Sequence, residues 1–363
     1  MRKCRRCGFP VKFARCFDWR ADGTIVSTDR TKTRSQITFL EDGELEGLFS
    51  DLTGTIGISV EPFLVQAQKE VGKAISASLP LRHMKRVPHN RFFRPQWVAR
   101  LLVRLVATDM AGLGDGRISV DSYRAGKSLV LRFKNPCLAP LLAGSAAGIY
   151  ESVEEMPSSN IDYGIEGEDL VIRLSHGEEK AESESRLYLE EAGPGDGPLG
   201  CDRCQVCLTP LPASRALQWD LGRGIINNRL TGQREVVVAS QSVNAILWVL
   251  ETELGGEIPR ILYEHQKSYT RERLAGKETG DPERFWEDHL RGLAFRGLGY
   301  PTSFRHNGSS VSVSILNPYN QDLYAAKIAA ALEAVTGTAS SIEWKKRTHH
   351  DCEYEITADS IEA

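Results

Sequence analysis

Two cysteine pairs raise the question of function first. Cys4 and Cys7 are separated by two residues, as are Cys204 and Cys207. Each pair is followed at the same spacings by a tryptophan and an isoleucine, Trp19 and Ile25 in one case, Trp219 and Ile225 in the other. A thiolate is a soft, anionic donor, and two of them three positions apart chelate one cation from a single turn. One pair supplies half of a tetrahedral shell. Brought together, Cys4, Cys7, Cys204 and Cys207 predict one shared Zn2+ site that clamps two halves of the chain.

A second arrangement adds Cys16 and Cys201, giving three thiols to each half. Cys201-x-x-Cys204-x-x-Cys207 opens like a ferredoxin motif, but Leu211 stands where the fourth cysteine would precede Pro212. On that reading each half holds an iron–sulfur cluster with a remote or non-protein ligand. A third reading leaves the thiols unmetallated or joined in a reversible disulfide. His349, His350 and Cys352 form a secondary metal candidate, whereas Cys137, behind Pro136 at a helix start, reads as an ordinary buried cysteine.

One histidine sits in an apolar stripe. Phe285, Trp286, His289, Leu290, Leu293 and Ala294 share a helix face, a spacing matched by Trp97, Val98, Leu101, Leu102, Leu105 and Val106. Such a histidine is either a satisfied core residue or the polar anchor of a mainly apolar pocket, since such pockets orient a ligand with few polar groups. In the second case Phe285, Trp286, Phe295 and Tyr324, with Trp97 in the other half, are wall residues. Aromatics at helical spacing serve equally well as core.

These residues need a scaffold, and the chain offers a similar one twice. A β-prone stretch at 37–40 precedes an apolar-periodic segment at 45–52, and 236–239 precedes 243–254 in the same way. Later, Leu129, Leu131 and Phe133 alternate as a half-buried strand that Asn135-Pro136 stops before a helix. Val311, Val313 and Ile315, then Asn317-Pro318, repeat that order. Proline just inside a helix start loses no hydrogen bond there and has its φ preset. Two more strands are expected after each helix, at 161–163 and 170–174, and at 342–344 and 352–356. The acidic, Gly- and Pro-rich stretch 177–200 has little apolar surface to bury and reads as a linker. The units are therefore 1–176 and 201–363.

The 363-residue length suits two units of roughly 150–200 residues. A net charge of −3 argues against a general polyanion binder, so the basic stretches at 2–6 and 82–94 read as solvated loops. The basic start lacks an apolar stretch behind it, which predicts a cytoplasmic protein, and no run reaches the ~18–20 apolar residues of a membrane span. No catalytic motif occurs in a suitable context; Gly112-Leu113-Gly114-Asp115-Gly116 reads as a turn because no helix follows it.

The run from Ala111-Gly112-Leu113-Gly114 through the strand ending at Asn135 to the small-residue helix 141–148 resembles the 4-vinyl-reductase-type domain, the hydrocarbon-binding module. The run from Arg296-Gly297-Leu298-Gly299 to Ile356 resembles it too. The resemblance covers about two thirds of each unit and leaves out the cysteine-bearing ends. It implies an α+β fold with an antiparallel sheet packed on helices, usually dimeric, here as two tandem repeats forming a pseudo-dimer. It further implies a sensory or accessory protein that binds a small apolar or aromatic ligand, or an assembly factor like the vesicle-tethering subunits of that fold, with a homodimer or protein partner. Sensor members hold zinc through cysteines near the last strands. Here Cys352 alone falls in that stretch, and Leu170 takes its place in the first unit. The expected function is metal-dependent ligand binding, with an iron–sulfur redox protein or a structural assembly factor as alternatives.

Overall fold

The structure is a computed structural model that describes residues 1–27, 35–78, 96–178, 193, 195–277 and 279–360, without the side chains of 75, 77–78, 96–102 and 105. The basic loop at 82–94 and most of the linker lie outside the described residues. The first half runs α1 (Val11–Cys16), β1 (Phe17–Trp19), β2 (Ile25–Ser27), β3 (Gln36–Glu41), α2 (Asp42–Ile56) and α3 (Glu61–Ser78). It continues with α4 (Gln96–Leu113), β4 (Arg117–Arg124), β5 (Ser128–Lys134), α5 (Ala139–Glu154), β6 (Ser159–Glu166) and β7 (Asp169–His176). The second half begins α6 (Leu211–Ala216), β8 (Leu217–Asp220), β9 (Ile225–Asn228), β10 (Arg234–Ala239), α7 (Ser240–Leu254) and α8 (Ile258–Leu274). It ends α9 (Pro282–Phe295), β11 (Pro301–His306), β12 (Ser310–Leu316), α10 (Gln321–Thr336), β13 (Ser340–Arg347) and β14 (Asp351–Ala358). The architecture is mixed α+β, and its strand pairs are antiparallel.

Local chemistry sets the boundaries. Asn135 and Asn317 each adopt φ 49°, the left-handed conformation that asparagine tolerates, so each turns the chain between strand and helix. Asn320 caps α10 by accepting from the Leu323 amide, and α10 stops at Gly337 with φ 77°. Asp281 caps α9 with Pro282 in its first turn.

Two four-stranded sheets have corresponding orders, β4-β5-β7-β6 and β11-β12-β14-β13. A third was not foreseen from the sequence. In it, β1, β2 and β3 join β10, β9 and β8 in one six-stranded sheet, with β3 against β10 at its centre. Around its cysteine-bearing end, Phe9, Phe13, Phe17, Trp19, Phe39 and Trp219 form an aromatic core, in which Phe9 meets Trp19 and Trp219 edge-on at 5.6 and 4.6 Å.

The hairpins of this sheet dock across the molecule. Tyr300 and Gly299 donate backbone hydrogen bonds to Asp22 and Gly23, and Trp19 Nε1 donates to the Phe295 carbonyl. In the other direction Gly116 donates to the Gly224 carbonyl, and Trp219 Nε1 donates to that of Gly112. Glycine is needed at both turns: a Cβ on Gly23 would lie 2.6 Å from Tyr300 N, and one on Gly224 2.4 Å from the Gly116 carbonyl carbon. The end of the predicted linker is docked as well. The Leu199 amide donates to the Ala21 carbonyl, its side chain packs on the aromatic core, and Arg20 donates to the Gly193 carbonyl.

A buried polar network ties α2 and β3 to the second half. Lys327 on α10 donates to Glu44 on α2 at 2.6 Å, and Arg296 pairs with Glu235 at 3.3 Å and Glu44 at 3.5 Å. Tyr269 donates to Glu41 at 2.7 Å. Burial pushes the Lys327 ammonium down, against the attraction of Glu44.

Candidate metal centre

Each cysteine pair sits in a tight knuckle. The Cys4 amide donates to the Phe9 carbonyl at 2.7 Å, and the Gly8 amide donates back to the Cys4 carbonyl at 3.0 Å. Cys204 and Thr209, then Leu208 and Cys204, make the same bonds, both at 2.9 Å. The return bond needs a left-handed residue after the second cysteine. Gly8 takes φ 77° without cost, whereas Leu208 takes φ 62° at a cost of about 1 kcal/mol for a side chain with a Cβ.

The two knuckles face each other. Cys4 Sγ lies 3.9 Å from Cys204 Sγ, Cys7 Sγ lies 3.4 Å from Cys207 Sγ, and all four sulfurs fall within 4.8 Å of one another. Four thiolates at the ~2.3 Å Zn–S distance have tetrahedral edges of about 3.8 Å, so this spacing suits one ion. Cys4 and Cys204 are buried; Cys7 and Cys207 are half-buried, which sets the site at the protein surface. Two cations cross over beside it. Lys3 donates to the Trp219 carbonyl at 2.9 Å, and Arg203 donates to that of Trp19 at 2.8 Å. Positive side chains next to Cys4 and Cys204 would offset the negative charge that four thiolates leave on a divalent ion bound there.

Electrostatics divides the thiols. A hydrogen bond from the Cys7 backbone lowers the Cys4 pKa, opposed by burial. Burial pushes Cys204 up, but backbone bonds from Val206 and Cys207 outweigh it, and its value falls to about 6. Burial raises Cys7 to about 12, and a bound cation would displace its proton.

No family model matches this chain, and no curated protein does. Among solved structures it is similar to a point mutant of the H-NOX protein of T. tengcongensis. That likeness has 13% identity over 41% of this chain and 86% of the other, with a TM-score of 0.26. A similarity this low carries no argument about fold or function.

The remaining predicted residues are distributed as follows. Cys16 and Cys201 pack against the aromatic core and lie outside the four-sulfur group, so the geometry assembles two thiols from each half and not three. Cys352 is buried opposite Ile315 on β12, with its thiol pushed up to about 12 by burial. The His349 and His350 ring centroids lie 4.9 Å apart, edge to face. Among the described residues, the four knuckle cysteines form the one cluster of three or more metal-ligand atoms. Cys137 Sγ lies 3.5 Å from Asp115, whose carboxyl burial pushes up to about 6.

On α9, Phe285, Trp286 and Phe295 are buried. His289 stacks parallel on Phe285 and edge-on to Trp286, with ring centroids 6.1 and 6.2 Å apart. Burial lowers its pKa to about 3, helped by Lys277 and Lys327, so the ring is neutral at pH 7. Its Nε2, the Trp286 Nε1 and the Tyr324 hydroxyl are buried with no hydrogen-bond partner among the described residues. Trp97 belongs to α4, but its side chain lies outside the described residues.

A cleft of about 550 Å³ not foreseen from the sequence lies between α7, α8 and the start of α10. Trp248, Leu247, Leu262, Pro318, Arg347 and His349 help line it. Trp248 is 44% exposed, a large share for an indole on the amphipathic helix α7. An indole on the polar side of a helix was the one signal in the sequence that pointed there.

Proposed function

We propose that this chain is a binding protein built from two copies of a unit like the 4-vinyl-reductase-type domain, related by a pseudo-twofold axis and clamped by a single zinc ion. The convergence of Cys4, Cys7, Cys204 and Cys207 on one point carries the reading. Sulfurs from segments this far apart in sequence approach to 3.4 and 3.9 Å, a crowding of thiolates that one cation offsets. Four sulfurs within 4.8 Å leave room for one ion and not for the several irons of a cluster, which favours zinc over iron–sulfur.

Three features support the duplication. At the centre of the large sheet Phe39 lies opposite Val237, each three residues before the next helix, with Glu41 opposite Glu235 and Ile37 opposite Ala239. The crossed bonds of Lys3 and Arg203 are counterparts. Glu151 accepts from Ser159 and pairs with Lys69 and Lys73, as Glu333 accepts from Ser340 and pairs with Lys267 and Arg271.

The ligand would be a small apolar or aromatic molecule stacked on Trp248. The cleft is within the usual range of roughly 300–1,000 Å³ for such sites. Its polar lining is largely engaged already. Asn320 donates to Asn244, Gln321 donates to the Thr348 carbonyl, and Arg347 donates to Gln321 and Asp322. Leu247, Trp248, Leu262 and Pro318 add the apolar surface that a ligand would meet beside these polar groups.

Elemental analysis of the purified protein tests the metal. One zinc per chain, falling to near zero in Cys204→Ser protein after dialysis, is the expected result. Stoichiometric iron with visible absorbance would replace zinc by an iron–thiolate centre, and no metal in either protein would remove the clamp. Titration with a phenol, comparing wild type with Trp248→Ala, tests the cleft; equal affinities would overturn that assignment.

A further inference from the structure

The exposed tips of the two knuckles differ in chemistry while sharing one surface. On the first knuckle Arg2, Arg5 and Arg6 are exposed, and Lys3 is turned away onto Trp219. On the second, the corresponding positions carry Asp202, Gln205, Val206 and Leu208, all exposed, with Val206 and Leu208 both at 66%. Cys7 and Cys207, the half-buried pair, approach to 3.4 Å, so Arg6 and Val206, each preceding one of them, flank the same edge of the metal site. Arg2, Arg5 and Arg6 thus stand on one knuckle and Val206 and Leu208 on the other, with the four sulfurs between them.

Leu208 is the informative residue. It holds the left-handed conformation that Gly8 adopts at the matching place, and it exposes its side chain to water while doing so. Glycine would relieve the backbone and remove an exposed apolar group, so for folding alone leucine is the poorer residue. A strained, exposed leucine beside exposed cations is explained when something covers it.

The geometry points to this face as a docking surface for an acidic peptide segment with apolar anchors, the anchors seated on Val206 and Leu208 and the carboxylates on Arg2, Arg5 and Arg6. Arginine forks pair with carboxylates bidentately, and aliphatic contacts at the centre of a patch supply affinity. A single-stranded nucleic acid would call for aromatic platforms for its bases, and the two apolar side chains here are aliphatic. This inference rests on the metal reading, because the ion holds the two tips side by side.

The test uses the full-length, metal-loaded protein and a fluorescent peptide of about a dozen alternating glutamates and leucines, read by anisotropy. A glutamine–leucine peptide, phosphatidylserine vesicles and single-stranded DNA serve as competing probes. Binding of the acidic peptide at least tenfold tighter than its glutamine form is expected, with Arg5→Glu/Arg6→Glu and Leu208→Gly each weakening it at least tenfold. Both variants keep one metal per chain, and Leu208→Gly protein melts at the same or a higher temperature than wild type. Loss of metal in a variant would mark a failure of the clamp, not of the docking surface; Leu208→Gly leaves every cysteine in place and separates the two. No preference for the acidic peptide, affinity unchanged in both metal-loaded variants, or tighter binding of vesicles or DNA through the same residues would overturn the proposal.

Discussion

Burial decides what individual titratable residues do. His289 is held neutral by a low-dielectric setting with Lys277, Lys327 and Arg296 nearby, and its pKa falls to about 3 from an ordinary value near 6.5. The unfolded chain therefore binds a proton below about pH 6.5 that the folded chain refuses until about pH 3. The sign follows: this residue's contribution to stability is complete above pH 6.5 and is lost as the pH falls towards 3. His289→Leu, the residue found at the matching position 101, removes that term. Urea denaturation at neutral pH and at a pH between the two values should show a smaller loss of stability on acidification in the variant than in wild type. An identical loss in both would mean that the ring is solvated. Cys352 and Cys137 illustrate the same point for thiols. Burial raises both, so neither is poised as a nucleophile.

At the scale of elements, local signals were legible because they depend on neighbours along the chain. Alternation marked β5 and β12, the Asn-Pro turns marked the starts of the helices that follow, and the late strands fall where the alternation places them, extended by a few residues to β6, β7, β13 and β14. The buried network was legible only in part. Lys327 stands alone among the alanines of α10, a charge with no place in an apolar helix unless paired, yet its partner Glu44 is remote in sequence. Removing one member of such a pair leaves the other charge buried without compensation. Lys327→Met should destabilise the protein by about 3 kcal/mol in urea unfolding. A double Lys327→Met/Glu44→Gln variant should recover part of that loss, since it removes both charges. A single variant as stable as wild type would show that Arg296 alone neutralises Glu44. The described end of the stretch 177–200 departs from what its composition suggests: a Gly- and Pro-rich segment docks on Ala21 and Arg20 because its backbone finds partners even where its side chains have little to bury.

For the whole molecule, the proposed zinc clamp acts alongside the β3–β10 pairing and the Glu44–Lys327–Arg296 network in joining the halves. Chelation should therefore lower the melting temperature while leaving a single cooperative transition, measured by calorimetry with and without a strong chelator. Two separate transitions after chelation would mean that the sheet and network do not couple the halves. An unchanged melting temperature would mean that no ion stabilises the fold. No described helix is long and apolar enough to cross a membrane.

The chain by itself determined the two cysteine pairs, the later strands and helices that periodicity marks, and the boundaries set by asparagine, proline and glycine. Each follows from residues within a turn or two of one another. Tertiary structure alone decided that four sulfurs meet at one point, that each hairpin docks on the opposite half, and that the open cleft lies beside Trp248. Those outcomes depend on contacts between residues far apart in the chain, which are set by how faces pack and which buried charges find partners, and no local pattern encodes that choice.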